Sequence, residues 1–279
     1  MTASALPIVL LPIGTDDAAL DACLAALDRG TPAGTRVWLL DDAQAGPRGL
    51  AIIEHWLEST RLEAEYTRRQ QPVGEARHLA EGIHACGDLD IAVLAPDARP
   101  APGWLSQLAA CLARDATIAT ATPWSNAGEC VAWPNIGEVR PAPAEPGRIA
   151  HAAARMPALH HELPTAGTHA VLLRGAPRVR IGKLDGESFE SWAAALTDYS
   201  LRLAAMGWRN VLCETVFVAR DHEPLYGDDD LDVIAARWPD YRPRLARFLM
   251  QDPLRTARAE LAACYAEAAS ASPQDDLFA

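Results

Sequence analysis

The chain lacks a CxxC pair and any cysteine–histidine grouping at zinc-ligand spacing, although it carries six cysteines. Cys23, Cys86, Cys111, Cys130, Cys213 and Cys264 are scattered, most inside apolar patterns, where a small buried thiol is expected rather than a disulfide framework. Glycine-rich phosphate cradles are missing as well. No GxGxxG follows the first apolar run and no GxxxxGK[ST] occurs, which speaks against a dinucleotide-binding Rossmann domain and a P-loop NTPase. Without a GxSxG there is no nucleophile elbow of a serine hydrolase. Positive charge is in deficit: 25 Lys and Arg against 37 Asp and Glu give a formal charge of −12. That balance argues against nucleic acid or an anionic membrane as the main partner, since both need a basic face, but it leaves room for a local basic pocket. The N-terminal MTASALPIVLLPIGTDD has no basic n-region, and its apolar stretch is too short to span a bilayer. A cytoplasmic chain with no transmembrane segment is expected, any contact with a membrane-borne substrate being peripheral or made through a partner.

What is present is 279 residues, nearly half of them apolar, enough for one large α/β domain with a small appendage. The first ~125 residues alternate short β-branched runs with helical periodicity, the pattern of a parallel sheet with covering helices. Strands are expected at Pro7–Ile13, Val37–Leu40, Ala64–Thr67, Ile91–Leu94 and Ile118–Thr122. Between them lie helices that begin after Asp16, around Ile52–Leu57, at Gly74–Cys86 and at Trp104–Arg114. From Pro123 to Pro164 seven prolines favour an irregular excursion, and loops that long are usually functional or disordered. Further strands are expected at Ala170–Leu173 and Val211–Ala219, flanking a helix that carries Leu196, Tyr199 and Leu203. After Gly227 the pattern is helical to about Ala268, with Asp228-Asp229-Asp230 as a solvated cap and the tail SPQDDLFA frayed. The expected division is residues 1–227 as the α/β domain and 228–279 as a helical C-terminal extension.

In an open α/β sheet, ligands bind beyond the carboxyl ends of the strands. Three such ends carry telling residues: Pro12-Ile13-Gly14, Asp41-Asp42 and Ala95-Pro96-Asp97. Acidic residues in place of glycines suggest a nucleotide held through its base and ribose, with a bridging metal. His160-His161, Trp124 and Trp133 are weaker candidates in the irregular segment, with exposure and packing as their ordinary roles.

Short blocks in sequence order carry a resemblance. They are IVLLPIGTDDAALDACLAAL, VWLLDDA, GEARHLAEGI, IAVLAPDARPAPGWLSQL, IATATPWSNAGECVAWP, ELPTAG, IGKLD and TDYSLRLAAMGWRNVLCETVFVARDHE. In this order the chain resembles the family 2 glycosyltransferases of GT-A fold, in particular the bacterial cell-surface polysaccharide branch, over roughly residues 7 to 223. The resemblance implies a mostly parallel α/β sheet flanked by helices and a nucleotide site built on Pro12, Ile13, Gly14, Asp41, Asp42, Ala95, Pro96 and Asp97. Within it Asp41 and Asp42 would accept hydrogen bonds from base or ribose. Asp97 matches the last aspartate of the family's D-x-D or N-x-D metal motif, and Asp198 an acidic residue opening the helix beside the acceptor pocket.

The departures from that pattern are specific. Ala95 replaces the first motif carboxylate, Leu79 and Ala80 stand where Arg-Asn is common before the glycine matching Gly82, and Leu196 occupies the position of the base. Asp198 lies about 200° around the helix from residue 196, so it does not substitute in place. Asp185, Glu187 and Glu190 precede the helix and are the alternative candidates for the acid–base role. Arg220 stands where some members place a metal-binding histidine. It is expected to hold the donor diphosphate, with Asp97 and His222 the remaining candidate ligands for Mn²⁺ or Mg²⁺ and with weak or absent metal dependence. The resemblance therefore implies an inverting transfer of sugar from a nucleotide-sugar donor to a glycan, lipid-linked or protein acceptor. The alternatives are a catalytically impaired relative that binds nucleotide sugar or a partner, and a nucleotidyltransferase-like protein, which the fold alone would allow.

Overall fold

The computed structural model describes residues 6–223 and 225–270; the tail SPQDDLFA lies outside the described residues. The chain runs β1 (Ile8–Pro12), α1 (Asp17–Gly30), β2 (Arg36–Asp41), α2 (Pro47–Ser59), β3 (Glu63–Arg68), α3 (Glu75–Ala85) and β4 (Ile91–Leu94). It continues with β5 (Ala98–Pro100), α4 (Trp104–Arg114), β6 (Ile118–Trp124), α5 (Pro146–Ala153), β7 (Ala170–Leu173), α6 (Gly175–Ile181), α7 (Trp192–Ala205) and β8 (Arg209–Arg220). Three helices close the described chain: α8 (Asp230–Arg237), α9 (Tyr241–Gln251) and α10 (Arg255–Ser270). The mostly parallel, helix-flanked sheet expected from the alternating pattern is present.

Eight strands form the order β3-β2-β1-β4-β7-β6-β8-β5. The β3-β2-β1-β4 half is parallel, as the βαβ alternation requires. β7 runs antiparallel to both β4 and β6, and β8 runs parallel to β6. Ile8, Val9, Leu10 and Leu11 of β1 are all buried, the continuous apolar run of a strand covered on both faces. Gly82 of α3 presses against β2, where an added Cβ would meet Leu40 Cδ1 at 2.6 Å. Asp16 caps α1 by accepting from the amides of Ala18 and Ala19 at 2.9 and 3.0 Å.

Two elements were invisible to periodicity. β5 is three residues long with a proline at its end, and α6 is a short helix after β7. Within Pro123–Pro164 one helix, α5, does form, with Pro146 in its first turn. Its Ile149 joins Trp124, Phe217, Leu254 and Leu261 in a second hydrophobic cluster, so α10 is packed onto the sheet through buried apolar side chains. Arg258 of α10, itself buried, donates to the Ala132 carbonyl at 2.8 Å and stacks over the Trp124 ring, which ties down the loop after β6. The solvated cap expected at Asp228-Asp229-Asp230 is only partly so. Asp230 is buried and accepts from the amides of Gly227, Glu190 and Ser191, holding the entries of α7 and α8 together.

Strand direction decides where the chemistry gathers. β1, β2 and β4 point their carboxyl ends to one edge. Antiparallel β7 starts there, since Ala170 pairs with Leu94. β8 ends there, and the β5 pairing of Ala98 with Arg220 closes the group. Gly14, Asp41, Asp42, Asp97, His169 and Arg220 therefore lie along a single sheet edge.

Candidate functional site

The centre of this edge is an ion pair. Asp97 lies in the tight turn after β4, where the Ala98 amide bonds the Ala95 carbonyl at 3.0 Å. Across the β5–β8 ladder, Arg220 Nε donates to Asp97 Oδ2 at 3.2 Å and Nη2 to Oδ1 at 3.1 Å. Both residues are buried, and the His222 amide adds a third bond to Asp97 Oδ2 at 2.8 Å. Asn126 fixes the arginine backbone from the end of β6: its Oδ1 accepts from the Arg220 amide at 2.8 Å and its Nδ2 donates to the Arg220 carbonyl at 2.9 Å. Nη1 reaches only Thr168 Oγ1, at 3.5 Å, so part of the guanidinium fork stays open to a ligand.

Arg220 forms part of the wall of two cavities. One, of about 180 Å³, lies over Gly14, Pro96 and Asp97, with Glu75, Trp192 and Leu225 on its other side. The other, of about 220 Å³, is built from the loop after β6, the ELPTAG stretch, Thr197, Tyr226 and Tyr241. Glu223 also borders both. Pro12, Ile13 and Ala95 are buried beneath the first cavity, where they set the strand ends. The Glu75 carboxyl, bonded by the Trp192 amide, is raised by burial, although the residue as a whole is solvent-exposed. The carboxyl of Glu129, on the second cavity, is raised by burial and by the charge of Glu223, although the residue as a whole is solvent-exposed. Burial and the Glu129 charge push the Tyr226 phenol up to about 12, which keeps it a neutral donor.

The other acidic candidates are already engaged. Asp41 accepts from the Gln44 amide and the Tyr66 hydroxyl, both at 2.7 Å, and from Arg68 at 3.0 Å. Asp42 accepts from the amides of Val73 and Gly74 at 2.8 and 2.9 Å, which pins the loop leading into α3. Asp198, 1 % exposed, pairs with Arg202 at 3.0 Å and accepts from Trp238 Nε1 at 2.9 Å, fastening α8 to α7. Leu196 is buried in the main core. Asp185 pairs with Arg237 at 2.8 Å. Burial acts to raise its carboxyl, but hydrogen bonds from Ser188, Arg237 and Glu187 outweigh that and bring it down to about 2. Glu187 faces Arg77 at 3.5 Å, and Glu190 borders Gly227. The structure thus gathers Gly14, Pro96, Asp97, Arg220 and His222 at the first cavity, while Asp41, Asp42, Asp185, Glu187, Glu190 and Asp198 line neither cavity.

The donor set does not fit a divalent cation. Asp97 is neutralised by a guanidinium, residue 95 offers no ligand, and His222 Nε2 is paired with Asp16 Oδ2 at 3.0 Å. Among the described residues no three His, Cys, Asp or Glu side chains come together as a metal site. His160 and His161 are tied to Glu214 through their amides at 3.0 and 2.9 Å, and His161 Nδ1 lies 2.7 Å from the same carboxylate.

Sequence reasoning missed Asn126, Glu75, Glu223 and His169. His169 is buried beside the second cavity, and its Nε2 has no hydrogen-bond partner. Burial first, and the Arg220 charge second, depress it to about 3. The folded chain thus keeps His169 neutral while the unfolded chain protonates it near its ordinary value of about 6.5. Stability should be unaffected above that value and fall by up to about 1.4 kcal/mol per pH unit below it, until the folded-state value is reached. Urea titrations from pH 7 to 4.5 check this. His169→Asn should flatten the slope, and an unchanged slope in that variant would show the proton uptake lies elsewhere.

Solved structures share this architecture. GalNAc-T7, solved with UDP, GalNAc and Mn²⁺, superposes with a TM-score of 0.61 at 13 % identity, over 92 % of this chain and 54 % of that one. A mannosyltransferase from Pyrobaculum calidifontis, solved with GDP-Man and Mn²⁺, gives 0.58 at 16 % identity, over 98 % of this chain and 77 % of that one. The chain has a GT-A-like fold. TarS 1–349 of S. aureus with UDP-GlcNAc matches it at 0.54 and 12 % identity, over 82 % of this chain and 64 % of that one. The chain spans about half the length of GalNAc-T7 and about three quarters of the mannosyltransferase. No protein-family model and no curated protein matches the sequence. Two of these structures were solved with Mn²⁺; in this chain Arg220 pairs with Asp97. No helix among the described residues is long and apolar enough to cross a membrane.

Proposed function

We propose that this chain transfers a sugar with inversion from a nucleotide-sugar donor to a hydroxyl of a glycan, lipid-linked or protein acceptor, without a bound divalent cation. The observation that carries the reading is the buried Arg220, held by Asp97 and Asn126 at the wall shared by two cavities on the ligand-binding edge of a GT-A-like sheet. The donor occupies the cavity over Gly14 and Pro96, with its diphosphate against the open side of the Arg220 fork. A guanidinium matches two phosphoryl oxygens and stabilises the charge that develops as the diphosphate departs. The acceptor enters through the second cavity. Its hydroxyl oxygen forms the new bond to the anomeric carbon as the bond to the diphosphate oxygen breaks, and Glu223, which borders both cavities, takes the hydroxyl proton.

A thermal-shift panel of UDP- and GDP-sugars tests donor binding directly. A bound sugar nucleotide at a hundred times its dissociation constant should add about 2.7 kcal/mol, equally in EDTA and in Mn²⁺. Stabilisation confined to Mn²⁺ would overturn the cation-free reading, and no stabilisation by any sugar nucleotide would overturn the donor site.

A second reading is favoured by the occupied carboxylates. With Asp185, Glu187 and Asp198 in ion pairs and Leu196 in the core, the same cavities would bind a nucleotide sugar without turning it over. Binding with no release of nucleoside diphosphate, over a range of acceptors, would select it.

A further inference from the structure

No residue of α9 is buried. Tyr241 and Phe248 rest half-buried on the two hydrophobic clusters, and Leu245 and Leu249 are half-buried as well. At 100° per residue these four share one face of the helix, and the opposite face meets solvent. Pro243, Ala246 and Met250 run along the middle of that outer face, all exposed, Met250 by 77 %. Arg242 borders the apolar strip on one side, and Arg244 and Arg247 border it on the other, all three exposed. Among the described residues none of these arginines makes an ion pair. The helix itself holds no acid, in a chain of charge −12. Asp240 precedes its first turn, and Asp252, just past its last, is taken by Arg258.

These arginines do not serve the helix. Arg242 and Arg244 lie toward its N-terminal end, where the dipole disfavours cations, so an anion drawn to that end would relieve both. An apolar strip flanked by cations is the pattern of a helix lying in a membrane interface, its apolar side chains at the acyl boundary and its guanidinium groups among lipid phosphates. We propose that the outer face of α9 docks this chain on an anionic phospholipid surface. A water-borne polyanion would satisfy the arginines but leave Pro243, Ala246 and Met250 uncovered. The acidic remainder of the chain is repelled by such a surface, which leaves this face to make the approach. Tyr241, on the inner side of the same helix, lines the cavity assigned above to the acceptor. Docking would hold that cavity about 10–12 Å, one helix diameter, from the headgroups, which suits a lipid-linked acceptor. The link to the acceptor rests on the proposed function; the docking does not.

The test is vesicle flotation of the full chain, with phosphatidylcholine vesicles against equimolar phosphatidylcholine and phosphatidylglycerol. Binding should be confined to the anionic vesicles and should weaken as salt rises. Arg242→Gln, Arg244→Gln and Arg247→Gln together should cost about a hundredfold in affinity, roughly fivefold for each arginine. The same charge change made at the exposed Arg29, Arg48 and Arg114 should leave binding within a few-fold. Met250→Gln keeps the charge and should weaken vesicle binding several-fold, because the strip loses apolar area. All the substituted side chains are exposed, so the melting temperatures should stay close to native. No binding to anionic vesicles, equal binding to phosphatidylcholine alone, or an equal loss in the two triple variants would each overturn the proposal. So would unchanged affinity in Met250→Gln, or tighter binding to single-stranded DNA than to the vesicles. Sugar-nucleotide binding without vesicles should be native in the α9 triple variant, so the donor site and the docking face stand or fall separately.

Discussion

Arg220→Ala should destabilise the fold by about 3–5 kcal/mol, because it leaves a buried carboxylate with its charge uncompensated. Asp97 would retain only the His222 amide as a donor, at 2.8 Å. Removing both partners is different: Asp97→Leu with Arg220→Met swaps the pair for apolar groups of similar volume, and such replacements are often neutral or stabilising. The double variant should therefore melt close to the native chain. It separates structure from binding, since a stable protein without the guanidinium should bind sugar nucleotide at least about tenfold more weakly, having lost a charge-assisted contact to phosphate. Denaturant titrations of the native chain, both single variants and the double give the coupling energy. A double variant that keeps full donor affinity would remove Arg220 from the binding site.

Much of the sheet was legible in the sequence because its strands are apolar runs bounded by turns, and the run from β1 to β4 alternates with helices of clear period. What periodicity cannot supply is partnership across long separations. Asp97 and Arg220 are 123 residues apart, and Asn126 meets Arg220 across 94. Each reads locally as a polar residue after a strand, and only the antiparallel β5–β8 ladder brings them together. β5 itself gives no signal: three residues that end in proline show no alternation. α7 forms where a helix was expected, but its orientation is hidden for the opposite reason. Every residue from Trp192 to Leu201 is buried, so no polar face reveals which side meets a cavity. Thr197 turns toward the second cavity, Leu196 into the core, and Asp198 toward Trp238.

The acidic pairs illustrate a second limit. Asp41 and Asp42 stand at a strand's carboxyl end, where ligands and turns compete for the same carboxylates. The backbone won at Asp42, whose two oxygens take the amides of Val73 and Gly74, and side chains contributed at Asp41. A sequence shows the type of residue at the edge but not the number of its lone pairs already used. Glu223 is the reverse case. It drew no attention beside the histidine before it, yet it borders both cavities.

Glu223→Gln should lower the rate of sugar transfer by about 10²–10⁴-fold with donor binding unchanged, the loss expected when a positioned general base is removed. The amide keeps the shape of the side chain and its place between the cavities but takes up no proton. The effect should fall on kcat rather than on the KM for the sugar nucleotide, because the proton moves only as the acceptor oxygen attacks. Glu129 borders the acceptor cavity alone, and burial first and the Glu223 charge second raise its carboxyl. Glu129→Gln should therefore have the smaller effect, concentrated on the acceptor KM. Asp185→Asn and Glu187→Gln break ion pairs to Arg237 and Arg77 away from both cavities, and should leave the rate within a few-fold of native. Steady-state rates with the four variants on one working acceptor decide the matter. A Glu223→Gln enzyme with native kcat would move the base elsewhere, and collapse in Asp185→Asn or Glu187→Gln would place it on the loop before α7.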